Sequence, residues 1–114
     1  MSVEDTPDAS EITFVNRFTV HAEPEEFERV FADTAAFMTR QPGFVQHTLV
    51  RHAVKPDSYV NIARWRSEAD LQLAVRQPEF QAHAAVLRTV STSEPNVYRP
   101  VQERVSGGDG PGGR

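Results

Sequence analysis

Two asparagines stand where their neighbours are apolar. EITFVNRFTV (Glu11–Val20) and YVNIARW (Tyr59–Trp65) are rich in β-branched and aromatic residues and read as strands. Side chains alternate between the faces of a strand. Ile12, Phe14, Asn16, Phe18 and Val20 therefore share one face of the first segment, and Tyr59, Asn61, Ala63 and Trp65 share one face of the other. An amide on such a face costs on the order of 1–3 kcal/mol if nothing pairs with it. A backbone group or a buried water would satisfy it. A bound ligand would do the same, and the lone Trp of the chain lies on the same face. A cation joins the set from PEFQAHAAVLRTV (Pro78–Val90). Phe80, Ala84 and Leu87 form its apolar stripe, and Arg88 falls about 80° from Phe80, at the stripe's border. Arg88 reads either as a snorkelling surface residue or as a guanidinium reaching inward. Two amides, an indole and a cation around an apolar space suit a flat, aromatic, partly polar ligand. Fixed donors in such a space stabilise an enolate or phenolate.

The elements that must position these groups follow from periodicity and punctuation. HAEPEEF starts a helix, with Pro24 at the first helical position and Glu25 and Glu26 at the positive end of its dipole. Phe27, Val30, Phe31, Thr34 and Met38 make its stripe, with Phe37 at the edge. QPG at 41–43 stops it, Gly43 fitting the left-handed position after a helix end. FVQHTLVRH (Phe44–His52) reads as a strand paired to YVNIARW through the VKPDS turn. Ser67 caps SEADLQLAV with Asp70 at the third helical position, and Gln77-Pro78 breaks and restarts the helix. A last short strand is expected around Asn96–Arg99, at an edge because of Pro95 and Pro100.

The order βαββαβ predicts an α+β ferredoxin-like fold, an antiparallel sheet with helices on one face. Thr13, Val15, Arg17 and Thr19 with Val60, Ile62 and Arg64 would then line the open face. That mixed β-branched surface predicts a homodimer packed through its sheets, a dimeric α+β barrel. Residues 1–10 read as a disordered lead, 11–101 as the folded domain and 102–114 as a flexible Gly-rich tail.

Composition narrows the function. The 114 residues, 39% hydrophobic and 25% charged, suffice for one core. A net charge of −4 without a basic block argues against nucleic acid. The absence of cysteine removes disulfides, thiolate catalysis and cysteine metal sites, and is compatible with a reducing cytoplasm. No apolar run approaches the ~20 residues that span a bilayer, and MSVEDTPDAS is too acidic for a secretory signal. The four histidines show no HxH or HExxH spacing, so no metal site is expected. His47 and His83, inside predicted elements, read as structural residues or as a base or haem ligand. No phosphate-cradling glycine motif occurs.

VNRFTV (15–20), RQPGFVQHTL (40–49), SYVNIARW (58–65) and LRTVSTSE (87–94) resemble the antibiotic biosynthesis monooxygenase family. They resemble more closely its cofactor-independent anthrone monooxygenases of aromatic polyketide and anthracycline pathways. The resemblance covers roughly residues 11–100. It includes the Asn-Arg pair at 16–17, the Asn-x-x-x-Trp at 61–65 and an arginine 23 residues beyond that Trp. It implies a cytoplasmic enzyme with O2 as co-substrate and no cofactor, oxidising an aromatic polyketide anthrone to a quinone through a carbanion and a hydroperoxide. The catalytic set it implies is Asn16, Asn61, Trp65 and Arg88. Asn61 would bond the oxyanion and Asn16 the oxygenated intermediate. Trp65 would stack on or donate to the substrate, and Arg88 would offset negative charge. Phe14, Phe31, Phe37, Leu49 and Leu71 would shape the substrate cavity. A tyrosine acid/base of some relatives falls near Leu71, which cannot transfer a proton. Haem-degrading relatives carry a Trp where this chain has Ala74. A polyketide cyclase and a non-catalytic carrier of aromatic metabolites are the alternatives on the same pocket.

Overall fold

The structure, a computed structural model, describes residues 10–106 of the 114. Nearly all of the expected N-terminal lead and most of the C-terminal tail lie outside the described residues. The elements run β1 (Ile12–Val20), α1 (Pro24–Met38), β2 (Phe44–Arg51), β3 (Ser58–Trp65), α2 (Glu68–Val75), α3 (Pro78–Val90) and β4 (Ser91–Tyr98). The sheet order is β2-β3-β1-β4, with every pair antiparallel. This is the expected ferredoxin-like arrangement.

Local chemistry explains the boundaries. Pro24 opens α1 with Glu25 and Glu26 in its first turn. The side chain of Ser67 accepts the Asp70 N–H at 3.1 Å and caps α2. Pro78 opens α3. Gly43 has a different task from the expected helix cap. The helix ends at Thr39 in an ordinary right-handed conformation. Gly43, at φ 89°, occupies the third position of a turn closed by the Phe44 N–H on the Gln41 carbonyl at 3.2 Å. Pro42 before it fixes the turn's second position. β4 is longer than expected and starts directly after α3. Its register is imposed by β1, from Val20 opposite Ser91 to Thr13 opposite Tyr98, rather than by its own mostly polar sequence. It forms an edge of the sheet, where Pro95 is tolerated.

The helix-facing side of the sheet carries two apolar clusters. Phe18, Val20 and Tyr59 pack with Phe27, Phe31 and Leu87 in one. Ile12, Ala63 and Trp65 pack with Leu71 and Ala74 in the other. Along β1, Asn16 falls between Ile12 and Phe18. Along β3, Asn61 falls between Tyr59 and Ala63. The amides thus sit at the seam between the clusters, where packing is incomplete.

Candidate active site

Two adjoining chambers open at that seam. The inner one is about 80 Å³, and Phe31, Met38, His47, Asn61 and Trp65 are among its walls. The outer one is about 540 Å³ and reaches Leu71, Gln72, Ala84, Arg88, Ser93 and Asn96. Phe14, Asn16, Phe18, Val75, Phe80 and Leu87 line both. The half-burial of Phe80 and Ala84 reflects this space: their stripe on α3 faces a cavity rather than closed packing.

β1 and β3 set Asn16 and Asn61 directly opposite one another in register. Asn16 Oδ1 is buried and has no hydrogen-bond partner. Asn61 Oδ1 lies 3.1 Å from His47 Nδ1. Trp65 is 1% exposed and meets the Phe44 ring edge-on, with centroids 5.5 Å apart. This contact holds the indole in one orientation at the chamber wall. Arg88 is exposed on the last turn of α3 and lines the outer chamber only. Neither chamber has an Asp or Glu in its lining.

The structure therefore brings Asn16, Asn61 and Trp65 together around one space. Arg88 shares a chamber with Asn16 but not with Asn61 or Trp65. Of the expected cavity-shaping residues, Phe14 lines both chambers, Phe31 the inner one and Leu71 the outer one. Phe37 and Leu49 line neither. Phe37 turns toward α3, its ring centroid 6.1 Å from that of His83. Leu49 packs against the Phe18–Tyr59 cluster, beyond the inner chamber.

His47 is the site residue whose type does not tell a structural histidine from a functional one, although alternation puts it on the face of Leu49. Pairing between β2 and β3 shifts between Phe44 and Gln46, leaving Val45 as an extra residue. Phe44 stands opposite Trp65 and His47 opposite Ala63. Both face the helices although they are an odd number of residues apart. The bulge follows the Gln41–Phe44 turn on an edge strand, where bulges gather. His83 stays outside the site, paired with Glu79 at 3.7 Å. Among the described residues, no group of three or more His, Cys, Asp or Glu is placed to hold a metal ion. No helix among them is long and apolar enough to cross a membrane.

An α+β ferredoxin-like domain with an apolar, amide-lined pocket between sheet and helices has the form of a small-molecule site. The chain belongs to the antibiotic biosynthesis monooxygenase family, whose profile matches residues 11–86. It is 55% identical to deoxynogalonate monooxygenase of Streptomyces nogalater over 107 residues, 94% of this chain and 91% of that protein. It is 33% identical to tetracenomycin-F1 monooxygenase of Streptomyces glaucescens over 93 residues, 79% of this chain and 81% of the other. The crystal structure of SnoaB, a cofactor-independent oxygenase from Streptomyces nogalater, superposes with a TM-score of 0.81 at 56% identity. That match covers 83% of this chain and 97% of SnoaB. The expected class, a monooxygenase that works without a cofactor, agrees with these relatives.

Proposed function

We propose that this enzyme oxidises an anthrone-type aromatic polyketide intermediate to the quinone, with O2 as the only co-substrate. The observation that carries the proposal is the amide pair, Asn16 opposite Asn61, in a mostly apolar chamber beside Trp65. The names of the relatives, which act on deoxynogalonate and tetracenomycin F1, support an aromatic substrate of this kind.

The acidic methylene of an anthrone loses a proton to give a delocalised carbanion. One electron passes to O2, and the resulting radical pair combines to a peroxide anion on the ring carbon. Protonation gives the hydroperoxide. Loss of water then leaves a carbonyl, with one oxygen atom in the product and the other in water. The protein's part is to hold the ring system, stabilise its oxyanion and keep bulk water away. Asn61 donates its amide to the oxyanion. Asn16 Oδ1, a buried acceptor without a donor, receives the O–H of the hydroperoxide. Trp65 offers its ring face or its N–H. Arg88, on the outer chamber with no acid in its lining, offsets negative charge on the part of the substrate lying there. Phe14, Phe31 and Leu71 shape the space around the rings.

An oxygen electrode tests this directly. A simple anthrone is converted to its anthraquinone with one O2 consumed per turnover, by protein free of metal, flavin and haem. A rate no higher than buffer with several tricyclic substrates overturns the proposal. Turnover without O2 uptake would assign the pocket to cyclisation instead. We place the protein in the cytoplasm and, in its working state, in a homodimer packed through the open sheet face.

A further inference from the structure

We propose that His47 is a positioning residue that sets which end of the Asn61 amide faces the chamber. Asn61 Oδ1 only accepts hydrogen bonds, so at 3.1 Å the proton of the contact belongs to His47 Nδ1. His47 donates, the carbonyl end of Asn61 is engaged, and the NH2 end is left over. No described residue accepts from that NH2 group. It is the donor that an oxyanion in the inner chamber would meet.

The reversed amide makes the same contact, with Nδ2–H donating to a bare Nδ1. It would then present a carbonyl oxygen to a chamber that already holds the unpartnered Asn16 Oδ1. Two acceptors facing an enolate repel it, whereas one donor and one acceptor serve an oxyanion and a hydroxyl. An asparagine has no intrinsic preference between these orientations, because its two ends have nearly the same shape. The choice has to come from a neighbour that can only donate, and the Nδ1–H tautomer supplies it.

The ring is itself held. Phe31 and Phe44 lie against it at centroid distances of 5.8 and 6.1 Å. The β2 bulge turns it to the helix side, and Ala63 opposite leaves room for it. His47 thus reaches Asn61 diagonally across two strands, since Asn61 itself pairs with Leu49.

The effect on rate rests on the oxygenase reading above; the tautomer does not, and the two are tested separately. Long-range proton–nitrogen correlation NMR on isotopically labelled protein reports which nitrogen of the neutral ring carries hydrogen. We expect Nδ1; a proton on Nε2 overturns the inference whatever the activity. His47→Phe keeps an aromatic ring between Phe31 and Phe44 and removes the donor. Its kcat with a simple anthrone should fall about tenfold or more while KM stays within about threefold. His47→Asn, whose Nδ2 occupies the place of Nδ1, should recover to within about threefold of wild type. On an Asn61→Ala background, His47→Phe should change the rate less than about twofold, because the group it positions is gone. A wild-type rate in His47→Phe, or an equal loss in both backgrounds, overturns the inference. Absence of any oxygenase activity in the wild type would sink the functional reading and leave the tautomer to decide this one.

Discussion

Asn16 carries a cost that the fold alone does not repay. Its Oδ1 is buried without a donor, a penalty of about 1–3 kcal/mol. Leucine has nearly the same shape and no lone pairs to desolvate. Asn16→Leu should therefore raise the melting temperature by several degrees, at roughly 4–8 °C per kcal/mol for a domain of this size. Its rate on a simple anthrone should fall by about tenfold or more. Calorimetry and an oxygen electrode on the same preparation check both signs, and a variant both less stable and fully active would refute the assignment. Tyr59 is the structural counterexample, a buried polar group with its partner. Its hydroxyl donates to Glu28 at 2.6 Å, and Arg51 stacks over its ring at 5.4 Å. Burial, then the bond to Glu28 and that carboxylate's charge, push the phenol up to about 12 from its usual 10.0. A raised value means that the folded state holds the proton more tightly than the unfolded chain does. The stabilisation is complete below pH 10 and is lost as pH rises towards 12. Melting temperatures measured across that range should fall more steeply for wild type than for Tyr59→Phe, which has no phenol to ionise.

At the scale of elements, the faces of β1 and β3 were legible because alternation needs no partner. Asn16, Asn61 and Trp65 follow directly from it, as does the order of elements and hence the topology. The β2 bulge was not legible, because an extra residue is defined only against the strand it pairs with. The bulge separates Phe44 from His47, whereas His47 shares a face with Leu49 by alternation alone, and a histidine inside a strand reads equally as a structural residue. Phe37 and Leu49 were expected at the cavity because their apolar character is the same whether they face a ligand or a neighbouring cluster. The extent of β4 was hidden because its register comes from β1. Gly43 reads from sequence as a helix stop, but α1 already ends at Thr39. Its positive φ serves the turn into β2, and a Cβ there would run into the Asp70 carboxylate. Asp70 also supplies the N–H that caps α2 on Ser67. Gly43→Ala thus strains a turn by about 1–2 kcal/mol and displaces the cap that sets Leu71 at the outer chamber. A fall of roughly 5–15 °C in melting temperature is expected, with KM for the anthrone rising as Leu71 shifts. Unchanged stability would mean that the turn and the Asp70 side chain adapt to the added Cβ.

At the scale of the molecule, one face of the sheet is fully used and the other is not. Val15 stands opposite Ile62, which stands opposite Thr48; Arg17, Val60 and Val50 make the next row. Ile62 is 41% exposed and Val50 40%. Two strands of an antiparallel sheet often leave a solvated face, but a solvated face is polar in alternation with the core. Here β-branched residues run across three adjacent strands, and a contiguous apolar surface of that kind marks an interface. Arg17 and Arg64 border it, and Arg64 is already neutralised by Glu11 at 2.6 Å. We propose that a second copy of the chain covers this face, an isologous contact in which the same rows meet on both partners. Light scattering at micromolar concentration should report a dimer. Ile62→Glu puts a charge at the centre of the face and should weaken dimerisation by about tenfold or more. The chambers lie on the opposite side of the sheet, so the melting temperature of the variant should become independent of concentration while its monomer remains folded. A wild-type monomer, or an Ile62→Glu protein that dimerises as tightly as wild type, would assign the open face to solvent.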